Sequence, residues 1–285
     1  MSTLYGIPYM GSKTKIAPQL IKLLPPGKRF VDLFGGGFAM SHCAMLANKW
    51  DEIYYNELTP LLPRMIQKAL NGDYNYSRFR PEFVTRERFF AEKDTDGYIQ
   101  YIWSFGNKGD GYLFGKDVEP IKHEAHDFVV FGKRTEHFRK IERYVTSKDV
   151  HTRRLQFCGA CKKLIKRFDL QQLQQLERLQ QLQQLQQRIT VKCGSYLDYE
   201  YRDGDIVYCD PPYEGTAEYS TGFDSEEFYD WAASRPYQVY FSSYQNISRK
   251  QDFQMIWARQ LRSSLGSGNA SINFECLYTN RKARQ

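Results

Sequence analysis

Arg29-Phe30-Val31-Asp32-Leu33-Phe34-Gly35-Gly36-Gly37-Phe38-Ala39-Met40-Ser41 decides the fold: an apolar run of strand length breaks at three glycines and resumes as helix-forming sequence toward Asn48. Glycines at such a turn allow positive φ and close backbone approach to a ligand, and the helix that follows offers unpaired N–H groups at its start. Strand, glycine loop and helix together make the nucleotide-site unit of an α/β fold. The glycines lack the GxGxxG spacing of a dinucleotide site, and Gly11-Ser12-Lys13-Thr14 lacks the upstream glycine of a phosphate loop. Further on, Glu52-Ile53-Tyr54-Tyr55-Asn56-Glu57-Leu58 reads as a second strand, with Glu57 at its end to accept hydrogen bonds from ribose hydroxyls.

Outward from these two strands the same alternation continues. Helices are predicted over 16–24, 38–48 and 61–70, and strands near 30–34, 53–56, 189–192, 206–209 and 239–242. Such alternation predicts a largely parallel sheet with helices on both faces and ligands at the carboxyl ends of the strands.

A second motif supplies the chemistry. The apolar run Asp205-Ile206-Val207-Tyr208-Cys209 leads into Asp210-Pro211-Pro212-Tyr213. Two prolines can neither donate to a ladder nor continue it, so the chain leaves the sheet stiff and extended with its carbonyls free. A carboxylate, a free carbonyl and an aromatic face then lie close together. Asp210 and the Pro211 carbonyl suit the two N–H bonds of an exocyclic amine, and Tyr213 suits the face of the ring that bears it.

Tyr9-Met10-Gly11-Ser12-Lys13, the glycine loop, Asn56-Glu57-Leu58 and Asp210-Pro211-Pro212-Tyr213 stand in the order seen in Dam-type, alpha-group DNA adenine-N6 methyltransferases, which this chain resembles. Gln238-Val239-Tyr240-Phe241-Ser242-Ser243-Tyr244 resembles the family's strand after the catalytic loop, and Phe274-Glu275-Cys276-Leu277-Tyr278-Thr279-Asn280 its last strand. The resemblance covers both ends of the chain and the middle poorly. It implies a Rossmann-like S-adenosylmethionine-dependent methyltransferase sheet over 1–70 and 190–285, with a smaller DNA-recognition domain inserted over 71–189. It implies transfer of a methyl group from S-adenosyl-L-methionine to a flipped-out adenine in double-stranded DNA, the setting of restriction-modification. Catalysis would fall to Asp210, Pro211, Pro212 and Tyr213. The donor would be held by Tyr9, Lys13, Asp32, Phe34, Gly35, Gly36, Gly37, Glu57, Tyr196 and Asp210. The residues alone also admit cytosine N4 in DNA or adenine in RNA as the amine, or a catalytically vestigial DNA-binding protein.

Charge points to the same partner. Residues 131–169 hold twelve Lys and Arg against four Asp and Glu, a local +8 in a chain whose total is +7, so one segment carries the entire excess. Such a concentration fits a phosphate backbone, and Lys133, Arg134, Arg139, Lys140, Arg143, Arg153 and Arg154 are the candidate DNA contacts. No apolar run reaches the roughly 18 residues of a membrane span and no signal-peptide stretch is evident, so a cytoplasmic protein without membrane contact, monomeric in solution, is expected. Six irregularly spaced cysteines read as reduced thiols. The lone Cys158-Gly159-Ala160-Cys161 lacks the further ligands of a zinc site, and no metal is expected.

Within the middle region, Gly106-Asn107-Lys108-Gly109-Asp110-Gly111 between aromatic residues reads either as a loop tip that enters a groove or as a surface turn with the aromatics beneath it. Trp103-Ser104-Phe105 departs from the family's Asn-Arg element, so no recognition sequence carries over. Over 170–188, leucines at 170, 173, 176, 179, 182 and 185 recur every third residue in a Gln-rich tract. On a helix such a row drifts about 60° per step, so the tract reads as a helical insertion or spacer without catalytic work, or as a partner-binding helix.

Overall fold

The computed structural model describes residues 5–7, 9, 11–214, 222–260 and 274–280, which divide into two units. The sheet unit comprises Thr14–Gly35, Ala39–Leu58 and Arg188–Gln285, and the helical unit Met1–Lys13, Gly36–Phe38 and Thr59–Gln187.

In the sheet unit, helix α1 (Ala17–Leu23) precedes β1 (Gly27–Asp32), α2 (Ala39–Ala47) and β2 (Trp50–Glu57). The strands β3 (Ile189–Cys193), β4 (Asp205–Cys209), β5 (Val239–Tyr244), β6 (Phe253–Gln260) and β7 (Phe274–Asn280) complete a seven-stranded sheet of order β3-β2-β1-β4-β5-β7-β6. Pairing is parallel except at β7, which runs antiparallel to both β5 and β6. This is the Rossmann-like α/β class the alternation predicts, and the expected strands all form, with β1 and β2 beginning three residues early. β2 and β4 lie on opposite sides of β1, so the sheet reverses its order between β1 and β4, the place where open α/β sheets bind ligands.

An ion pair sets the register there. Arg29 and Asp205 are directly opposed on β1 and β4, and the guanidinium donates to both carboxylate oxygens at 2.9 and 2.6 Å. Tyr199 and the Arg202 amide also donate to Asp205, so its negative charge is held below the usual carboxylate range despite burial. Val31, Val207, Phe241 and Cys276 from four strands pack against Phe228 and Trp231 of helix α8 (Ser225–Ser234).

The helical unit contains α3 (Leu61–Leu70), α4 (Arg86–Glu92), α5 (Glu119–Phe131), α6 (Val150–Leu164) and α7 (Gln171–Gln181). Short 3-10 stretches follow α5 at Glu136–Tyr144 and α7 at Leu182–Arg188. The Leu/Gln tract is not a spacer. Leu170, Leu173, Leu176, Leu179 and Leu182 are each at most 2 % exposed, and Gln172, Gln175 and Glu177 are buried beside them. The drifting row that gives no single apolar face suits a helix enclosed on most of its circumference. Its glutamines complete the arrangement: Gln175 exchanges hydrogen bonds with Asn107, Gln172 reaches His126, and Gln180 donates to the Tyr74 carbonyl.

The 106–111 segment is a turn closed by a bridge between Ser104 and Tyr112. Trp103, Tyr112 and Phe114 lie beneath it, and only Phe105 of these aromatics projects, at 72 % exposure. Among the described residues, no helix is long and apolar enough to cross a membrane, and no group of three or more His, Cys, Asp or Glu gathers as metal ligands.

Candidate active site at the strand ends

Three carboxylates gather at the carboxyl ends of adjacent strands: Asp32 is the last residue of β1, Glu57 the last of β2, and Asp210 follows directly on β4. Asp32 is 1 % exposed. Its Oδ2 accepts from Ser41 Oγ at 2.7 Å, while Oδ1 is buried without a hydrogen-bond partner among the described residues. Burial pushes this carboxyl up to about 7; the Ser41 hydrogen bond opposes the rise, and the negative charges of Asp210 and Glu57 add to it. Like charges around a buried, half-satisfied acid form a site suited to a cation.

The backbone around these acids is tied by Asn56. Its amide donates to the Leu33 carbonyl at 3.2 Å and the Gly194 carbonyl at 2.9 Å, and its own carbonyl accepts from the Gly35 amide at 2.8 Å. The exits of β1, β2 and β3 are thus joined through one residue. Gly35 has to be glycine because a Cβ would lie 2.1 Å from the Tyr55 ring, and Gly36 turns the chain at φ +44°. Phe34 packs on Tyr196 with ring centroids 5.1 Å apart, and Tyr196, edge-on to Trp231, belongs to the apolar cluster beneath α8. Its hydroxyl is buried without a partner among the described residues, and burial pushes it up to about 12.

After Cys209 the hook runs through a half-buried Asp210, a buried Pro211 and a half-buried Pro212 to Tyr213. The Tyr213 hydroxyl donates to Glu275 of β7, and its ring stands edge-on to Tyr244 of β5 at 4.7 Å. Glu214 accepts from the Ser248 amide at 2.9 Å. The chain beyond the prolines is therefore fastened at two successive residues.

In the helical unit, Tyr9 and Lys13 accompany Gly36 and Gly37. The Ile7 amide donates to the Gly37 carbonyl at 2.8 Å, and the Tyr9 ring lies edge-on to Tyr101 at 5.6 Å. Lys13 is buried, with Nζ 3.3 Å from the Gly11 carbonyl. Met10 of the same motif lies outside the described residues.

The basic segment separates into two groups. Lys133, Arg134, Arg139, Lys140 and Arg143 are exposed, and the last four line an open groove with Glu136, Glu142 and His137, where Arg134 lies 3.7 Å from Glu142 and Arg139 3.3 Å from Glu136 in solvent-exposed pairs. Arg153 and Arg154 instead have roles inside the fold. Arg153 donates to the carbonyls of Ser147, Val129 and Lys148, and Arg154 forms a two-pronged pair with buried Glu177 at 2.7 Å on each arm. Guanidiniums engaged in this way have few donors left for phosphate.

Ser41, Asn56 and Glu275 were not singled out as site residues by the sequence. Ser41 stands within the quoted glycine motif, nine residues past Asp32, a spacing that brings two groups together only when a sharp turn folds the helix back. Glu275 had one signal: an acid within the otherwise apolar and aromatic run of the last strand.

A family model described as D12 class N6 adenine-specific DNA methyltransferase matches residues 9–258. The Retron Ec67 DNA adenine methylase of Escherichia coli is 26 % identical over 245 residues, which cover 84 % of this chain and 73 % of that protein.

Proposed function

Because the chain belongs to the D12 class N6 adenine-specific DNA methyltransferases, its activity is methylation of adenine N6 in DNA, and we propose that S-adenosyl-L-methionine is the donor and an everted base of duplex DNA the acceptor. Family membership decides for adenine in DNA over the cytosine and RNA amines that the hook alone admits. The observation that carries the donor reading is the partnerless Asp32 oxygen amid three carboxylates. An ammonium there satisfies the orphaned acceptor and offsets the repulsion, so the residues fit the methionine end of the donor. Glu57 suits its ribose hydroxyls, Gly35, Gly36 and Gly37 permit close backbone approach, and Phe34 and Tyr196 offer aromatic surface. Tyr9 and Lys13 complete the donor set carried over from the family.

S-adenosyl-L-methionine, when bound, supplies a methyl carbon already activated by its sulfonium. The protein's tasks are then in-line placement and a more nucleophilic nitrogen. Asp210 and the Pro211 carbonyl accept the two N–H bonds of N6 and draw the nitrogen toward tetrahedral geometry, freeing a lone pair otherwise delocalised into the ring. Asp210 would stabilise the positive charge that N6 gains as it takes the methyl carbon, the S–C bond breaking to leave a neutral thioether, and one N–H proton would then pass to water. Tyr213 stacks on the everted base, offsetting an eversion cost on the order of a few kcal/mol.

The helical unit is the target-recognition region, with Lys133, Arg134, Arg139, Lys140 and Arg143 on the phosphate backbone. The protein acts as a monomer. Incubation with unmethylated plasmid and methyl-labelled donor, followed by nucleoside analysis, tests the reading. Label in N6-methyl-2′-deoxyadenosine from duplex and none from single strands is the expected result; label that requires a single strand sinks the everted-duplex reading.

A further inference from the structure

Glu275 is a carboxylate at 7 % exposure on β7, between Phe274 and Cys276. Burying a carboxylate in a strand is unfavourable unless something charged or hydrogen-bonding meets it. What meets it is the Tyr213 hydroxyl, 62 residues earlier in the chain. Strand register places Glu275 opposite Tyr244 on β5 and Arg259 on β6. Tyr244 is also the residue whose ring abuts Tyr213 edge-on at 77°. The ring of Tyr213 is therefore fixed at its Cβ end by the rigid Pro211-Pro212 backbone, at its edge by Tyr244 and at its hydroxyl by Glu275.

The neighbouring residue is fastened independently. Glu214 accepts from the Ser248 amide at 2.9 Å and from the Tyr229 hydroxyl at 3.4 Å. The hook is thus anchored to α8 and to the segment after β5 through Glu214, and to β7 through Tyr213. Anchoring at Glu214 sets where the backbone runs; it does not set the direction in which the Tyr213 side chain points. The hydroxyl lies on the ring axis, so its bond to Glu275 fixes that direction, while Tyr244 at the ring edge limits the turn about the axis.

We propose that Glu275 is a positioning residue for methyl transfer: by accepting the Tyr213 hydrogen bond it holds in place the ring on which the target adenine rests. This inference depends on the reading that Tyr213 stacks on the base. Loss of the bond leaves the donor site at β1 and β2 unchanged and lets the side chain swing about its Cα–Cβ bond, so that a bound base samples poses in which N6 is misaligned. Misalignment of this kind lowers the chemical step and spares donor binding.

The test is single-turnover methylation of unmethylated plasmid by Tyr213→Ala, Tyr213→Phe, Glu275→Gln, Glu275→Ala and the double variant Tyr213→Phe/Glu275→Ala, with donor affinity measured by calorimetry on each. Tyr213→Phe and Glu275→Ala are each expected to slow the step about tenfold with donor affinity within about twofold, the double variant no worse than either single, and Glu275→Gln, which keeps an acceptor, to recover to within about threefold of wild type. Tyr213→Phe retains the ring and Glu275→Gln the shape of the side chain, so a folding defect in Glu275→Ala leaves the question answerable. Wild-type rates for Tyr213→Phe, additive losses in the double variant, or a loss that resides in donor affinity would each overturn the role given to Glu275. Tyr213→Ala separates the two layers. If it alone is slow, stacking stands and the Glu275 role falls; if it turns over normally, the stacking reading itself falls.

Discussion

Asp32 in the sheet unit and Glu177 in the helical unit are both buried carboxylates, and they are surrounded in opposite ways. Glu177 in the helical unit receives both arms of Arg154 at 2.7 Å, and His151 Nδ1 lies 2.8 Å away, so its oxygens are satisfied within the fold. Asp32 in the sheet unit has one hydrogen bond, from Ser41, an oxygen with no partner among the described residues, and two further acids near enough to raise its affinity for a proton. The first arrangement favours folding. The second disfavours it at neutral pH, and the proposed donor would complete it. A buried acid that the protein leaves incomplete marks where the protein binds, and a complete one marks where it holds itself together.

The largest expected effect tests the functional side of that contrast. Asp210→Ala should lower the single-turnover rate by about a thousandfold, in the range seen when a group stabilising transition-state charge is removed, and weaken donor binding far less, as read by calorimetry. Near-normal turnover would remove Asp210 from the chemistry and the contrast with it.

Next in size is the structural side. Arg154→Ala leaves Glu177 with 10 % side-chain exposure and only His151 as an ionic neighbour, and should cost about 3 kcal/mol in urea unfolding. A loss below about 1 kcal/mol would show that the pair is solvated in solution and that the two carboxylates differ less than the structure suggests.

Asp32→Asn sharpens the comparison by separating stability from function. The folded carboxyl titrates near 7 against an ordinary value of 3.8, so the folded state binds a proton more tightly than the unfolded chain. The resulting penalty is absent below the unfolded value, grows as pH rises between the two, and is complete above the folded one. The variant should therefore be more stable than wild type by about 4 kcal/mol at pH 8 and within about 1 kcal/mol of it at pH 4, while donor binding is lost. A variant destabilised at pH 8 would mean that Asp32 is satisfied in solution.

The smallest effect belongs to the exposed cations. Lys140→Gln with Arg143→Gln should weaken DNA binding severalfold and reduce the slope of log K against log salt by about 0.9 for each phosphate left without its cation, as read by fluorescence anisotropy. The same change at Arg153 should appear in stability instead, because its donors are on the carbonyls of Ser147, Val129 and Lys148.

Much of the sheet unit was legible in advance because its signals are local. Strand period, three glycines and two prolines constrain the backbone within a few residues of themselves, so Glu57 and Asp210 could be placed at strand ends before any tertiary neighbour was known. Asp32 was expected inside a strand running to 34, and β1 instead ends on it. The helical unit was less legible. A leucine every third residue gives no amphipathic face, and the rule that reads a face assumes one side in water; with Leu173, Leu176, Leu179 and Leu182 all fully buried, that assumption fails. Arg154 and Glu177 are separated by 23 residues, and nothing local distinguishes an arginine that will meet a glutamate from one that will meet a phosphate.

The sequence by itself determined that this chain builds an α/β sheet with acids at the ends of two strands and a proline-stiffened exit beside one of them, because backbone stereochemistry and side-chain period act over short spans. Only the tertiary structure decided that Asp32 stands at the end of its strand with one oxygen unsatisfied among the described residues, which arginines are committed inside the fold and what holds the tyrosine at the end of the hook. Partnership is a property of distance in space, and Ser41 with Asp32, Arg154 with Glu177 and Glu275 with Tyr213 become neighbours only once the sheet and helices have packed.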